Sequence, residues 1–506
     1  MTIIEDNSPE TKIVAQERKI VLLFCLFAAM HVFVFSAAFP FFCVVDEQTH
    51  FDLAVRYSQG KLPRSLAPPC AEALPYIVIF STPEFLWSPT SRPGGVIPPP
   101  PWKQPLEMVR ETLLAKEAGN REMFKNYEAA SPPLYYSLAG AWWRLGKWLK
   151  LDGGQLLYWL RFLNAPLVSA LVWLGWRTAR KLFPENNFIC LAVPGIIAFM
   201  PQTTFYAINN DVLSPVCFGA AFTCLIKLLR TEVPDVRLGI FTGLALAATF
   251  LTKISNLPLL AVSAVAILFK TWKLAGTGKL RAALPSLSTL TLCAVLPMVA
   301  WLAWCKHTFG DFTGTAAKIQ FLGWTLKPFA QWWHHPIFTP HGLWTFVSGL
   351  MATFWQGEFL WHRQPLALPG VDLVYVLASI VFVGLALANL LPQSKASATA
   401  QRQALWFGFA CLAAAVAFLG FLSIIYDFHD CFYPSREHPY FTSGRLMLGA
   451  LIPFLLLFVY GLDRALKRLG EPAKFSVLVA IILFMLTTEI TIDWTIFPNA
   501  YNWFHL

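Results

Sequence analysis

Charge is what this sequence has least of. Asp, Glu, Lys and Arg make up 13% of its 506 residues, about half of the roughly 25% typical of soluble domains. An ordinary water-soluble globule is therefore excluded. Also missing is any Cys-x-x-Cys pair or Cys/His cluster at metal-ligand spacing, although ten cysteines are present. That removes the usual thiolate metal centres, and most of the cysteines lie in apolar runs, where cysteine acts as a small hydrophobe. Cys43, Cys70 and Cys431 fall in polar loops and leave room for one disulfide. No internal repeat and no separate soluble domain stands out.

Apolar residues fill the gap, at 56% of the chain with a mean hydropathy of +0.53. Runs near 20 residues recur throughout, the length that crosses a hydrocarbon core about 30 Å thick. The expected fold is all-α, a polytopic membrane protein. The net charge of +10 then reflects the positive-inside bias of such proteins rather than a nucleic-acid partner. Residues 1–19 are polar and read as a cytoplasmic tail. The first apolar run is long enough to serve as an uncleaved signal anchor.

The runs fall near 20–42, 162–179, 188–207, 212–229, 238–252, 257–270, 283–304, 371–392, 404–425, 446–462 and 475–492, eleven in all. A further stretch, PPLYYSLAGAWWRLGKWL from Pro132 to Leu149, is hydrophobic in front but carries Arg144, Lys147 and Lys150 behind. It predicts an amphipathic helix lying in the membrane interface. With that helix left out of the count, the clusters around Arg177/Arg180/Lys181, Lys227/Arg230/Arg237, Lys270/Lys273/Lys279/Arg281, Lys395/Arg402 and Arg464/Lys467/Arg468/Lys474 all face the cytoplasm. Counting it as a span would put every cluster after it outside, against the rule.

The outer face then receives a long first loop over 43–161, a second over 306–370, a third over 426–443 and the tail after Ile492. Within the first loop, residues 63–105 are proline-rich and predict irregular or polyproline-like coil. Gln104 to Tyr127 reads as an exposed amphipathic helix, with Leu106, Val109, Leu113 and Leu114 on one face.

Chemistry gathers at the outer ends of the spans. Asp46 and Glu47 follow the first span directly, where carboxylates are costly unless paired or functional. Desolvation there raises a carboxylate toward the pKa a general base needs. The bland alternative is that Asp46 caps the helix after it. His50 shares a helical face with both. With a single histidine, the string DEQTH falls short of a zinc-protease motif, and no metal site is expected. Tyr127 to Tyr136, YEAASPPLYY, opens the interfacial helix, its tandem prolines suited to a helix start. Asp211, in INNDV, lies on a short outer turn, equally a turn signal or an active-site acid. Lys253, in LTKISN, and Arg445, in FTSGR, are cations at outer span ends. Arginine there suits a phosphate ligand, whereas Lys253 also fits simple snorkelling. Arg436, His429, His438 and the His334/His335 pair are weaker candidates.

The order of these features is a first span, Asp46-Glu47-x-x-His50, a long outer loop and Pro132-Pro133-Leu134-Tyr135-Tyr136. Arg161-x-Leu163-x-x-x-Leu167 then precedes a span ending ARKLFP, followed by Asn209-Asn210-Asp211-x-, Leu251-Thr252-Lys253 and Gly444-Arg445. This order resembles the GT-C superfamily of integral-membrane glycosyltransferases, especially bacterial enzymes akin to the lipid A aminoarabinose transferase and the protein O-mannosyltransferases. The likeness covers residues 20–260 well and the Gly444-Arg445 region more weakly; residues 20–270, with the first outer loop, read as one module and 271–506 as a variable transmembrane region. Ser131 stands where many of those enzymes have His, Gln or Lys.

The resemblance implies transfer of a sugar from a polyprenyl-phosphate carrier to a lipid, glycan or protein acceptor, with inversion. Asp46 would be the general base, with Glu47 and Asp211 as further catalytic acids. His50, Pro132, Tyr135, Lys253 and Arg445 would bind substrate, the cations stabilising the phosphate leaving group. No cofactor is required, and dependence on a divalent metal is left open. The expected setting is a bacterial inner membrane with the site toward the periplasm. A transporter or flippase of lipid-linked sugars is the alternative, though such proteins tend to show repeated halves. An oligosaccharyltransferase fits less well, because about 14 residues follow the last run.

Overall fold

The computed structural model describes residues 9–44, 46–91, 93–105, 107–109, 125–390, 399–431 and 433–506. Helices dominate, as a bilayer requires of backbone that cannot bond to water. The long ones alternate in direction. Helix α1, Pro9–Ala38, is followed by α2, Glu47–Ser58, and α3, Ala73–Phe80. Next come α4, Leu134–Trp148, α5, Gly153–Phe162, α6, Asn164–Leu182, α7, Asn187–Ala198, α8, Ser214–Arg230, α9, Val236–Thr252, and α10, Leu257–Gly276. The second half carries α11, Leu280–Phe309, α12, Thr315–Phe321, α13, Phe329–Trp332, α14, Pro340–Gln356, α15, Pro369–Leu390, α16, Thr399–Ile425, α17, Leu451–Ala465, and α18, Glu471–Asp493. Two-residue strands supply the little sheet described: β1, Thr325–Leu326, pairs with β4, Tyr426–Asp427, and β2, Leu360–Trp361, with β3, Gln364–Pro365.

Among the described residues, nine helical stretches are long and apolar enough to cross a membrane, and α7 and α9 are two shorter apolar helices. Together they occupy the eleven expected positions, so the chain is an all-α polytopic membrane protein. Stretch 162–179 is extended at its front. Helices α5 and α6 form one candidate span, Gly153–Leu182, which shortens the first outer loop. The stretch 132–149 is a helix, α4, and stays outside the spans as expected.

Two expectations change. The proline-rich stretch is not coil throughout, because ALPYIVIF folds as α3, packing Leu74, Ile77 and Phe80 inward. Nor is it loose. Trp102 meets the Tyr501 ring at 5.6 Å, the Tyr501 hydroxyl donates to the Pro98 carbonyl at 3.1 Å, and Asn499 donates to Glu84. The helix expected over 104–127 lies largely outside the described residues. All ten cysteines are free, so the possible disulfide is not formed.

The packed centre is formed by α17, which is almost wholly buried, with α15, α16, α7 and α8 around it. Helix α18 is mostly lipid-exposed and is held through polar residues. His31 Nε2 lies 2.7 Å from Glu489 Oε2, and the Tyr206 hydroxyl donates to the same carboxylate.

Candidate functional site

Because the spans alternate, the segments that follow α1, α7, α9, α11 and α16 emerge at one end of the bundle. That end gathers Asp46, Asp211, Lys253, Glu358 and Arg445, with Glu128 and Lys318 beside them. Arg445 is the hub. Its Nη2 donates to Asp46 Oδ2 at 2.5 Å, its Nη1 to Asp211 Oδ2 at 3.3 Å and its Nε to Glu358 Oε2 at 3.2 Å. Lys253 Nζ holds the other oxygen of Asp211 at 2.5 Å. The Ser443 hydroxyl donates to Glu358 at 2.5 Å. Three carboxylates from distant segments thus share one guanidinium, the planar group best able to serve several acceptors.

Local chain geometry aims these groups. Asp46 occupies the N-cap position of α2 in a left-handed conformation, φ 66° and ψ 1°, and its side chain makes no cap bond. A non-glycine residue held there costs on the order of 1 kcal/mol or more. The strain turns the carboxylate away from its own helix toward Arg445 and Tyr127, whose hydroxyl donates to Oδ1 at 2.5 Å. Capping is therefore not its role. Asp211 is set by an Asn209 side chain that accepts from its backbone N–H at 2.9 Å. Gly444 precedes Arg445 because an added Cβ would overlap the Phe354 backbone of α14. Gly357, at φ 82°, turns the chain from α14 into Glu358, with Thr203 and Gln202 filling the space a Cβ would need.

A second ion pair flanks Asp46. Lys318, on α12, binds Glu128, whose other oxygen accepts from Ser131 at 2.5 Å. Lys318 also lies over the Tyr127 ring, 5.2 Å from its centroid. His50 Nδ1 pairs with the Tyr136 hydroxyl at 2.7 Å, while its buried Nε2 has no hydrogen-bond partner among the described residues.

The electrostatics follow from this packing. Burial acts to raise the Asp46 carboxyl, but Arg445 foremost, then Lys318 and His50, outweigh it and hold it well below the usual carboxylate range. The rise expected from desolvation alone is thus overturned by cations that the local sequence does not reveal. Glu358 goes the other way, raised by burial more than Arg445 lowers it. Glu128 is brought down to about 2, its burial outweighed by Lys318 and His50. Burial pushes His50 down to about 4, so it is neutral near pH 7.

Glu47 has a separate fate. Its side chain and that of Arg161 are both fully buried, 2.7 Å apart. Arg161 meets both Glu47 oxygens and donates to the carbonyls of Ser36, Phe39 and Pro40. Glu47 also accepts from the backbone N–H groups of Phe42, at 2.8 Å, and Ile208, at 3.0 Å. A carboxylate so fully bonded is a fastener joining the end of α1, the start of α2, α5 and the 208 turn. Burial foremost, then the fields of Glu47 and Asp211, raise the Tyr135 hydroxyl well above the ordinary value. Pro132 is buried just before α4.

Of the weaker candidates, His335 is spent on structure, accepting from the Ile337 N–H at 3.1 Å and reaching the Pro439 carbonyl at 3.0 Å. His429 and Arg436 bond to each other at 2.9 Å on the exposed loop. Among the described residues no cluster of three or more His, Cys, Asp or Glu side chains is arranged to hold a metal ion.

No curated protein matches the chain. A family model described as predicted membrane protein (DUF2142) matches residues 27–425, taking in Asp46, Glu128, Asp211, Lys253, Lys318 and Glu358 but stopping short of Arg445. The chain belongs to this DUF2142 family of membrane proteins.

Proposed function

We propose that this protein is a membrane glycosyltransferase. It moves a sugar from a polyprenyl-phosphate donor to an acceptor on the extracytoplasmic face, inverting the anomeric centre. One observation carries the reading: Asp46, Asp211 and Arg445, distant in sequence, meet through a single guanidinium at one end of the bundle. A donor of this kind leaves as a phosphate, so the reaction needs cations where charge develops and a carboxylate beside the attacking group.

Arg445 pairs with Asp46 and holds it too acidic to be a good base. An anionic phosphate on Arg445 and Lys253 competes with Asp46 for the guanidinium. As that pairing loosens, the Asp46 pKa rises from its depressed value, and the carboxylate is free to orient the acceptor and accept its proton. His50 Nε2 is a ready partner for a substrate hydroxyl. Periplasmic orientation follows the positive-inside pattern of the connecting loops.

The transporter reading draws on the His31–Glu489 pair, since ionisable side chains inside a span mark ion paths. One experiment separates the two. Purified protein is reconstituted with radiolabelled polyprenyl-phosphate sugars and a membrane extract as acceptor. Label should appear on the acceptor with the parent chain and disappear with Asp46→Asn. Unchanged transfer by D46N removes Asp46 as the base; label that only changes leaflet points to a flippase.

A further inference from the structure

From Pro328 to Gly357 the chain contains no Asp, Glu, Lys or Arg, although this stretch belongs to a connection between spans rather than to a span. The structure packs part of it against the side of the span α16. Strand β1 pairs with β4 at the end of α16, Thr325 opposite Asp427 and Leu326 opposite Tyr426, and the Lys327 N–H donates to the Ile425 carbonyl at 2.8 Å. The chain then descends along α16. Trp332 meets the ring of Phe421 at 5.6 Å, and the Ile337 and Phe346 side chains stand 3.6 and 3.7 Å from the Cβ position of Gly420. Five residues of helix separate Ile425 from Gly420, a drop of about 7 Å at ~1.5 Å per residue. Phe421 lies in the candidate span Gln401–Ile425 and is itself 46% exposed, so the surface that Trp332 extends is lipid-facing.

The residues around that contact point outward as an apolar patch. Phe329, Trp333, Phe338, Leu343 and Trp344 are 43–66% exposed, with Gln331, His334, Thr339 and His341 also at the surface, whereas the polar groups of His335 and Trp332 turn inward. His335 is buried and ties the Ile337 N–H to the Pro439 carbonyl, and the Trp332 indole N–H donates to the Lys327 carbonyl at 3.1 Å. Aromatic rings at the headgroup level, on an uncharged segment about one and a half helical turns below a span's end, suit insertion into the boundary of headgroups and acyl chains.

We propose that Phe329–Trp344 is a membrane-docking segment whose partner is the lipid leaflet on the same side as the carboxylate–arginine cluster. The patch adjoins the exposed apolar surface of α16 through the contact of Trp332 with Phe421. It also connects to the site through α14, where the Thr353 hydroxyl accepts from the Gly444 N–H at 2.9 Å and whose end leads into Glu358. The inference stands whichever reaction the cluster performs.

A nitroxide placed by Trp333→Cys or Phe338→Cys, with the full chain in proteoliposomes and the spectrum of the unsubstituted chain subtracted, tests it. The expected ratio of collisions with oxygen to collisions with an aqueous nickel chelate matches that of a label at Phe421 and exceeds that of a label at Arg436. A ratio like that at Arg436 overturns the proposal. So does low access to both reagents, as contact with a second copy of the chain would give. If neither cysteine variant folds, Trp333→Phe is compared with the parent in brominated-lipid vesicles. The variant should lose part of the quenchable tryptophan fluorescence, and an unchanged quenchable fraction overturns the proposal.

Discussion

Replacing Glu47 by Gln removes a negative charge from a pocket where neither it nor Arg161 has exposed surface. The guanidinium then keeps its three backbone carbonyls but loses the anion that balanced its charge. Breaking a buried pair in this way costs about 3–5 kcal/mol. Arg161→Gln should cost as much, since it strands the carboxylate and frees those carbonyls. Unfolding entropy of about 2.1 cal/mol/K per residue makes 1 kcal/mol worth roughly one degree at this chain length, so each variant should melt about 3–5 °C lower. The double variant E47Q/R161Q should melt higher than the sum of the two losses predicts, by a coupling of up to about 3 kcal/mol. Asp46→Asn is the contrast. Asn tolerates the left-handed backbone, and Arg445 keeps Asp211 and Glu358 as partners, so the loss should stay near 1 kcal/mol. The assay is the temperature at which half of the detergent-solubilised protein stays monodisperse. Additive single losses, or a D46N loss as large as that of E47Q, would refute the separation of the two neighbouring carboxylates into a chemical one and a fastening one.

Gly444→Ala should lower thermal stability and weaken donor use together, because its Cβ can be housed only by moving Phe354 and α14 away from Arg445; normal behaviour in both measurements would show that the close approach is dispensable. His50 gives a pH signature. Its folded pKa of about 4 lies below the ordinary 6.5, so between those values the unfolded chain binds the extra proton and stability falls as pH falls. Melting from pH 7 to pH 4 should therefore decline less steeply in His50→Gln than in the parent, and parallel curves would discount this histidine. Lys318→Met strands the part-buried Glu128 and should destabilise more than Glu128→Gln with Lys318→Met combined, as melting of the two variants beside the parent would reveal.

How far the sequence reached depended on whether a residue stood at the edge of an apolar run. Asp46, Asp211, Lys253 and Arg445 are charges set where a span ends, so alternation of the spans was enough to put them on one face and to suggest that they meet. Glu358 and Lys318 sit inside a long connection with no local pattern around them. Only the packing of α12 and of the segment after α14 against the first loop, with Lys318 on Glu128 and Phe359 beside Val44, brings them to the site. Arg161 was hidden for a related reason: it lies at the seam between α5 and α6, where it reads as the flank of a span. With Arg161 unassigned, Glu47 looked like the equal of Asp46. The spans themselves were legible because their hydropathy is set by the bilayer, whereas α3 was masked by the prolines around it.

Position along the chain predicts a raised pKa for Asp46, and the packing gives it a depressed one. Burial can be inferred from position along the chain; the cation that answers it cannot. Arg445 enters the site from a segment nearly four hundred residues later, and its guanidinium outweighs the burial that the local sequence announces. The discrepancy bears on mechanism. A carboxylate held acidic by an arginine is protected from idle protonation, and it becomes basic only when another anion draws on that arginine. The strained backbone of Asp46 fits such an arrangement, since the pairing with Arg445 and Tyr127 helps offset a conformation that the isolated chain would avoid. A phosphate bound to Arg445 would then do two things at once, occupying the cation and releasing the base.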